Sequence, residues 1–127
     1  MSKQPQFYIT YLAPAQRNLL RLKAFLINAE VTPLRANEII KEIVVKLRIL
    51  ANNPHFGFPI GKKYGFSTPY RALICGKYIA IYEVLEADNA VPDTKNHHPA
   101  QPSGRIEIRR IYHSRENYIS QLINDTT

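Results

Sequence analysis

Fifteen consecutive residues, YRALICGKYIAIYEV at 70–84, constrain the fold of this chain more than any other stretch. Two runs rich in β-branched and aromatic residues are separated by Gly76 and Lys77 alone, which leaves room only for a tight hairpin turn. Glycine in the first turn position suits a type II′ turn, and that turn fixes the register. Cys75 then faces Tyr78, Leu73 faces Ala80 and Arg71 faces Tyr82. Arg71 shares a sheet face with Tyr78 and Tyr82, so the sequence predicts an arginine held among aromatic rings instead of a free surface charge.

The flanking sequence supplies the other layers. Residues 7–12 are aromatic and β-branched with no breaker, the pattern of a strand. Pro14 can open a helix, since the first turn needs no N–H from it. That helix is predicted over 14–28, with Leu19, Leu22 and Leu26 on one stripe and Arg17 and Arg21 off it. Pro33 can open a second helix in which Ala36, Ile39, Ile40, Ile43, Val44, Leu47, Leu50 and Ala51 recur at steps of three and four. Asn52-Asn53-Pro54 ends it, giving an antiparallel helical hairpin. Residues 55–69 contain Gly57, Pro59, Gly61 and Gly65 and read as a loop with Lys62 and Lys63 at its centre.

Beyond the hairpin, residues 87–103 are polar and contain prolines, which predicts a long excursion between strands. Residues 105–113 form the next strand, for which strict alternation puts Ile106, Ile108, Arg110 and Tyr112 on one face and Glu107, Arg109, Ile111 and His113 on the other. Ser114 is the expected N-cap of a last short helix bearing Tyr118, Ile119, Leu122 and Ile123. The expected fold is α+β: an N-terminal strand, a two-helix hairpin, a three-stranded antiparallel meander completing a small sheet, and a short C-terminal helix. One domain spans 1–127, with residues 1–5 as a flexible tail.

Charge bears on partners. Seventeen Lys and Arg against ten Asp and Glu give a formal charge of +7, and the pI is near 9.7. That surplus suits a polyanionic partner, nucleic acid or an acidic protein segment, and equally suits a protein that is simply kept soluble by charge. The lone cysteine, Cys75, sits in an apolar run as a small core residue and excludes an internal disulfide. No apolar segment follows Met1 and none approaches ~18 residues, so the sequence predicts neither a signal peptide nor a membrane span, and a cytoplasmic location. His97-His98 with Asp93 lies in a proline-bearing stretch that offers no rigid ligand geometry, and no metal or other cofactor is expected.

Three blocks in order carry a family resemblance: ANNP at 51–54, YRALICGKYIAIYEV at 70–84, and IEIRRIYHSRENY at 106–118. Together they resemble the RelE/ParE superfamily of type II toxins, and the last block is most similar to the ParE side. The resemblance runs from about Phe7 to Leu122, interrupted at 87–103. It implies a toxin neutralised by a cognate acidic antitoxin, with no membrane and no small-molecule substrate. Its two branches imply different activities. ParE-like members poison DNA gyrase by contact, whereas RelE-like members cut mRNA, usually on the ribosome.

Metal-free RNA cleavage needs a group to take the 2′-OH proton, one to protonate the leaving oxygen, and cations around the phosphate. The residues that suit these tasks are His113, Arg71, Arg109 and Tyr118, with Lys62, Lys63 and Arg115 as phosphate- or partner-binding cations. Within the resemblance, Arg71 matches a frequent central-strand arginine and His113 a frequent strand-end histidine. Each also has a structural reading: His113 pinning the strand-to-helix turn, Arg71 pairing with Glu83 or Glu107, Lys62 and Lys63 as solvated loop charges, Tyr118 as core packing. His113-Ser114-Arg115 stands where RelE itself has Gly-Lys-Arg, which favours the gyrase-directed branch. A non-toxic basic nucleic-acid-binding or adaptor domain is the remaining alternative.

Overall fold

A computed structural model describes residues 7–87, 103–116 and 118–126. The 1–5 tail and most of the 87–103 excursion lie outside the described residues. β1 (Phe7–Tyr11) leads through Leu12 into α1 (Ala13–Asn28), and α2 (Pro33–Leu47) runs on into a 3-10 turn (Arg48–Ala51). The Thr32 side chain accepts the Arg35 N–H and caps α2, with Pro33 just inside the helix start. β3 (Tyr70–Cys75), β4 (Tyr78–Glu86) and β5 (Gly104–His113) form the meander, and α4 (Tyr118–Thr126) closes the chain.

The hairpin register is the expected one, with Cys75 opposite Tyr78, Leu73 opposite Ala80 and Arg71 opposite Tyr82. Gly76 has φ 62°, and among the described non-glycine residues only Glu30 has positive φ, so the turn has the type II′ signs. Two short elements occupy the stretch expected to be loop: β2 (Phe58–Pro59) pairs with β3 as an edge strand, and α3 (Ile60–Tyr64) ends on Gly65 at φ 76°. Gly and Pro marked breaks here correctly, but Phe58 and Ile60 carry enough apolar surface to pack between them. The sheet order is β1-β5-β4-β3-β2, and β1 lies parallel to β5 in an otherwise antiparallel array.

Both faces of the sheet are covered. On one, Ile43, Leu47 and Leu50 of the hairpin layer pack with Leu73, Ala80, Tyr82, Ile106, Ile108 and Ile111. On the other, Ile60 and Leu122 pack with Ala72, Ile79, Ile81 and Tyr112. This partition overturns the strict alternation expected for β5. Tyr82 pairs with Ile108 while Ile81 pairs with Arg110, so Arg109 is an extra residue, a β-bulge that shifts the phase of the strand. Ile111 thereby joins Ile106 and Ile108 on the hairpin side, and Tyr112 turns to the other. Ser114 does not cap α4, because the helix begins four residues later. The intervening turn is held by Ser114 N–H on Lys77 O and Glu116 N–H on His113 O.

Candidate functional site

A concavity opens beside the stretch of β5 that follows the bulge at Arg109. β1 pairs with β5 only from Gly104 to Ile108, and the Leu12 N–H ends that ladder on Ile108 O. β5 continues for residues 109–113 with no described strand beside it on that edge. α1 rises there instead, and the Asn18 side-chain oxygen accepts the Ile111 N–H at 2.9 Å. Between the second half of α1, the end of the β4–β5 ladder and the start of α4 lies a cleft of about 600 Å³. Leu22, Phe25 and Ile111 give it apolar walls; Arg21, His113, Arg115 and Glu116 give it charge and polarity. Phe25 is 67% exposed, a large apolar surface to leave in water.

His113 stands at the cleft with its ring 5.3 Å from that of Tyr78, edge to face at 85°. Its Nδ1 accepts the Arg115 backbone N–H at 3.0 Å. That bond places the proton of the neutral ring on Nε2 and ties the ring to the turn after β5. Burial raises the Tyr78 hydroxyl pKa above its usual value, so the phenol beside the histidine stays protonated at neutral pH.

Arg71 lies elsewhere. Its guanidinium donates to His55 O at 3.0 Å and to Gly57 O at 2.6 Å, and its Nε is enclosed without a partner among the described residues. Beside it, the fully buried Tyr82 donates its hydroxyl proton to Pro54 O at 2.8 Å and accepts the Gly57 N–H at 3.0 Å. The two side chains staple the loop after the ANNP turn. Arg71 thus pairs with carbonyls, and it is Arg109 that takes the carboxylates, 3.5 Å from Glu83 and 3.4 Å from Glu107, with Tyr70 4.8 Å beneath its guanidinium.

The sequence-selected residues therefore fall into three places. Arg71 stands opposite Tyr82 and His113 opposite Tyr78. At about 3.3 Å per residue and about 4.8 Å per strand, they are separated by roughly 13 Å along the sheet and roughly 10 Å across it. Arg109 and Tyr118 belong to the opposite face from Arg71. Tyr118 shares a hydrogen bond of 2.8 Å with the Tyr64 hydroxyl and stacks on Tyr112. Burial first, and then the Tyr64 bond, push its pKa well above the usual tyrosine value. Lys62 and Lys63 are exposed on α3, with the Lys63 ammonium 4.5 Å above the Phe58 ring centre. Only His113 and Arg115 of the selected set meet, at the cleft. Burial pushes the Cys75 thiol up to about 11, which suits a core residue and not a nucleophile. Among the described residues, no group of three or more His, Cys, Asp or Glu is placed to hold a metal ion, and no helix is long and apolar enough to cross a membrane. His97-His98 and Asp93 lie outside the described residues.

Sequence reasoning set Tyr82 opposite Arg71 but missed its bonds to the loop, and it missed Asn18 and Phe25 altogether. Asn18 had a visible signal: it sits three residues after Ala15 and four before Leu22, a polar residue bordering a buried helical stripe. The loop bonds of Tyr82 had none, because its two loop partners are 25 and 28 residues distant.

Comparison with known proteins bears on this architecture. The family model described as ParE toxin of type II toxin-antitoxin system, parDE, matches residues 9–118. Among solved structures, one described as the chromosomal ParDE TA system from P. aeruginosa superposes with a TM-score of 0.58 at 14% identity. The superposition covers 85% of this chain and 96% of that one, a likeness of fold. No curated protein matches the sequence.

Proposed function

The chain belongs to the ParE toxin family of type II toxin–antitoxin systems, and from that premise we propose that it inhibits DNA gyrase by protein contact and is neutralised by a cognate acidic antitoxin. The observation that carries this reading is the dispersal of the groups that RNA cleavage would need. Arg71 is engaged with two loop carbonyls, Arg109 with two carboxylates and Tyr118 with Tyr64, while His113 stands apart from all three at the cleft. General acid–base catalysis requires its participants within hydrogen-bond reach of one substrate, and phosphate stabilisation requires a cation beside them. A contact poison needs neither. It needs a stable scaffold and exposed surface, which the cleft and the outer side of the hairpin provide through Leu20, Phe25, Leu34 and Val45.

The net charge of +7 supports an acidic neutralising partner, through faster encounter and choice of partner more than through affinity alone. The test is induction of the chain in bacteria, with transcript 5′-ends mapped and the DNA-damage response followed in the same cells. The expected result is growth arrest with an induced damage response and uncut transcripts. Codon-phased cuts that disappear in His113→Gln would sink this reading in favour of the mRNA endonuclease.

A further inference from the structure

The exposed side of α2 carries charges that do not pair in the simplest way. Glu42 and Lys46 stand four residues apart, in the favourable order for a bond along the helix. Glu42 is turned instead toward the helix start, 3.2 Å from the Arg35 guanidinium, which also holds Glu38 at 3.1 Å. Lys46 is drawn the other way, its ammonium 5.5 Å from the centre of the Phe56 ring. A groove of about 580 Å³ lies along this face, lined by Glu38, Lys41, Glu42, Val45, Lys46 and Ile49. Val45 and Ile49 give it apolar surface. Leu34, one turn before Glu38, and Phe56, beside Lys46, are each more than half exposed.

This face is complementary to itself. Leu34, Glu38, Glu42, Val45 and Ile49 recur at steps of four and three, a single stripe about 22 Å long at 1.5 Å per residue. The carboxylates lie toward its start, Lys41 in the middle, and Lys46 and Arg48 toward its end. A helix laid antiparallel reverses that order, so a second copy sets its basic end over the acidic start of the first. With a twofold axis level with Val44, Glu42 of each copy meets Lys46 of the other, and the two Val45 side chains flank the axis. Leu34 of each copy then reaches the Phe56 end of the other.

We propose that two copies of this chain associate through α2, antiparallel about a twofold axis, exchanging Glu42–Lys46 pairs across an apolar strip of Leu34, Val45 and Phe56. The charge of +7 on each copy opposes their approach, and one helix pair is a small interface, so the dimer is weak and forms at micromolar concentration. Leu20 and Phe25 belong to α1 and do not line this groove, so the dimer and a target draw on different surfaces.

The experiment uses the full chain, co-purified with the acidic protein encoded beside it and then refolded free of that partner. In sedimentation over about 1 to 100 µM the mass rises with concentration from 14.6 kDa toward twice that value. Glu42→Lys alone and Lys46→Glu alone each turn two attractive contacts into repulsions, and each weakens association by about tenfold or more. The double swap restores the pairs in reversed order and recovers association to within about threefold of wild type, with folding of every variant checked by circular dichroism. A second measurement does not depend on the charges. Val45→Cys, beside the axis, links two copies when its thiols are oxidised by diamide, while Lys62→Cys on α3 does not; the native Cys75 is buried. A chain that stays at 14.6 kDa throughout, single swaps without effect, or a Val45→Cys protein that links no better than Lys62→Cys overturns the proposal. Gyrase inhibition by such a monomer would leave the contact reading standing, so the two failures are separable.

Discussion

The two ends of the meander use the same kinds of side chain for opposite purposes. At the Arg71 end, a tyrosine hydroxyl and a guanidinium are closed onto the backbone groups of residues 54–57, and the loop is sealed to the sheet. At the His113 end, the strand edge faces a cleft, one backbone donor is held by an asparagine, and a phenylalanine is left in water. An arginine or tyrosine on a central strand is therefore not in itself a sign of chemistry. What decides its role is whether a neighbouring loop presents unpaired carbonyls to it, since buried backbone groups without partners are costly.

Gly57→Ala should break the sealed end most severely. A Cβ at that position would lie 2.3 Å from Ala72 O and 2.8 Å from the Tyr82 hydroxyl, and Ala72 O belongs to a sheet that cannot yield. A loss of about 3 kcal/mol or more is expected in urea unfolding; an unchanged midpoint would show that the loop is not seated as described. Tyr82→Phe keeps the ring and removes both hydrogen bonds, leaving Pro54 O and Gly57 N without that partner. A loss of about 2 kcal/mol is expected.

Alkaline titration reaches the core between the two ends. Burial raises Tyr11 from 10.0 to about 12 and Cys75 from 9.0 to about 11. For an acid whose folded pKa lies above its unfolded one, the stabilisation is complete below the unfolded value and is lost as pH rises through the folded one. Stability should therefore hold up to about pH 9 and decline between pH 9 and 12, tracked by denaturant midpoint and tyrosinate absorbance together. A flat midpoint to pH 12 would contradict the burial of these groups. The smallest effect is expected at the open end. His113→Gln removes one acceptor from an exposed turn, so a change below about 1 kcal/mol is predicted, with growth arrest retained. Loss of toxicity in a folded His113→Gln protein would give the histidine a chemical role.

The elements legible in the sequence are those governed by short-range rules. The Gly76-Lys77 turn sets the β3–β4 register by its length alone, and the two proline-opened helices follow from three- and four-residue spacing. The β5 pattern misleads because Glu107, Arg109 and Arg110 are all compatible with an exposed strand position, so nothing in the string marks which residue is the extra one. The candidate site is half legible for the same reason. His113 and Arg115 are conspicuous at a strand end, whereas the walls of their cleft come from α1, more than eighty residues earlier in the chain. Arg71 stands opposite Tyr82 as the hairpin register predicts, while the alternative reading that paired it with Glu83 or Glu107 fails because those carboxylates stand on the other face with Arg109. The register that sets Arg71 opposite Tyr82 sets Tyr70 opposite Glu83, one residue along and so on the other face.

The central claim is that this ParE-family toxin acts by binding and not by cutting. Its most direct test is supercoiling of relaxed plasmid by purified gyrase with the refolded toxin added in increasing amounts. Loss of supercoiling with rising toxin, restored when the co-purified acidic partner is added, is the predicted result. Undiminished supercoiling at a large molar excess of folded toxin would contradict it.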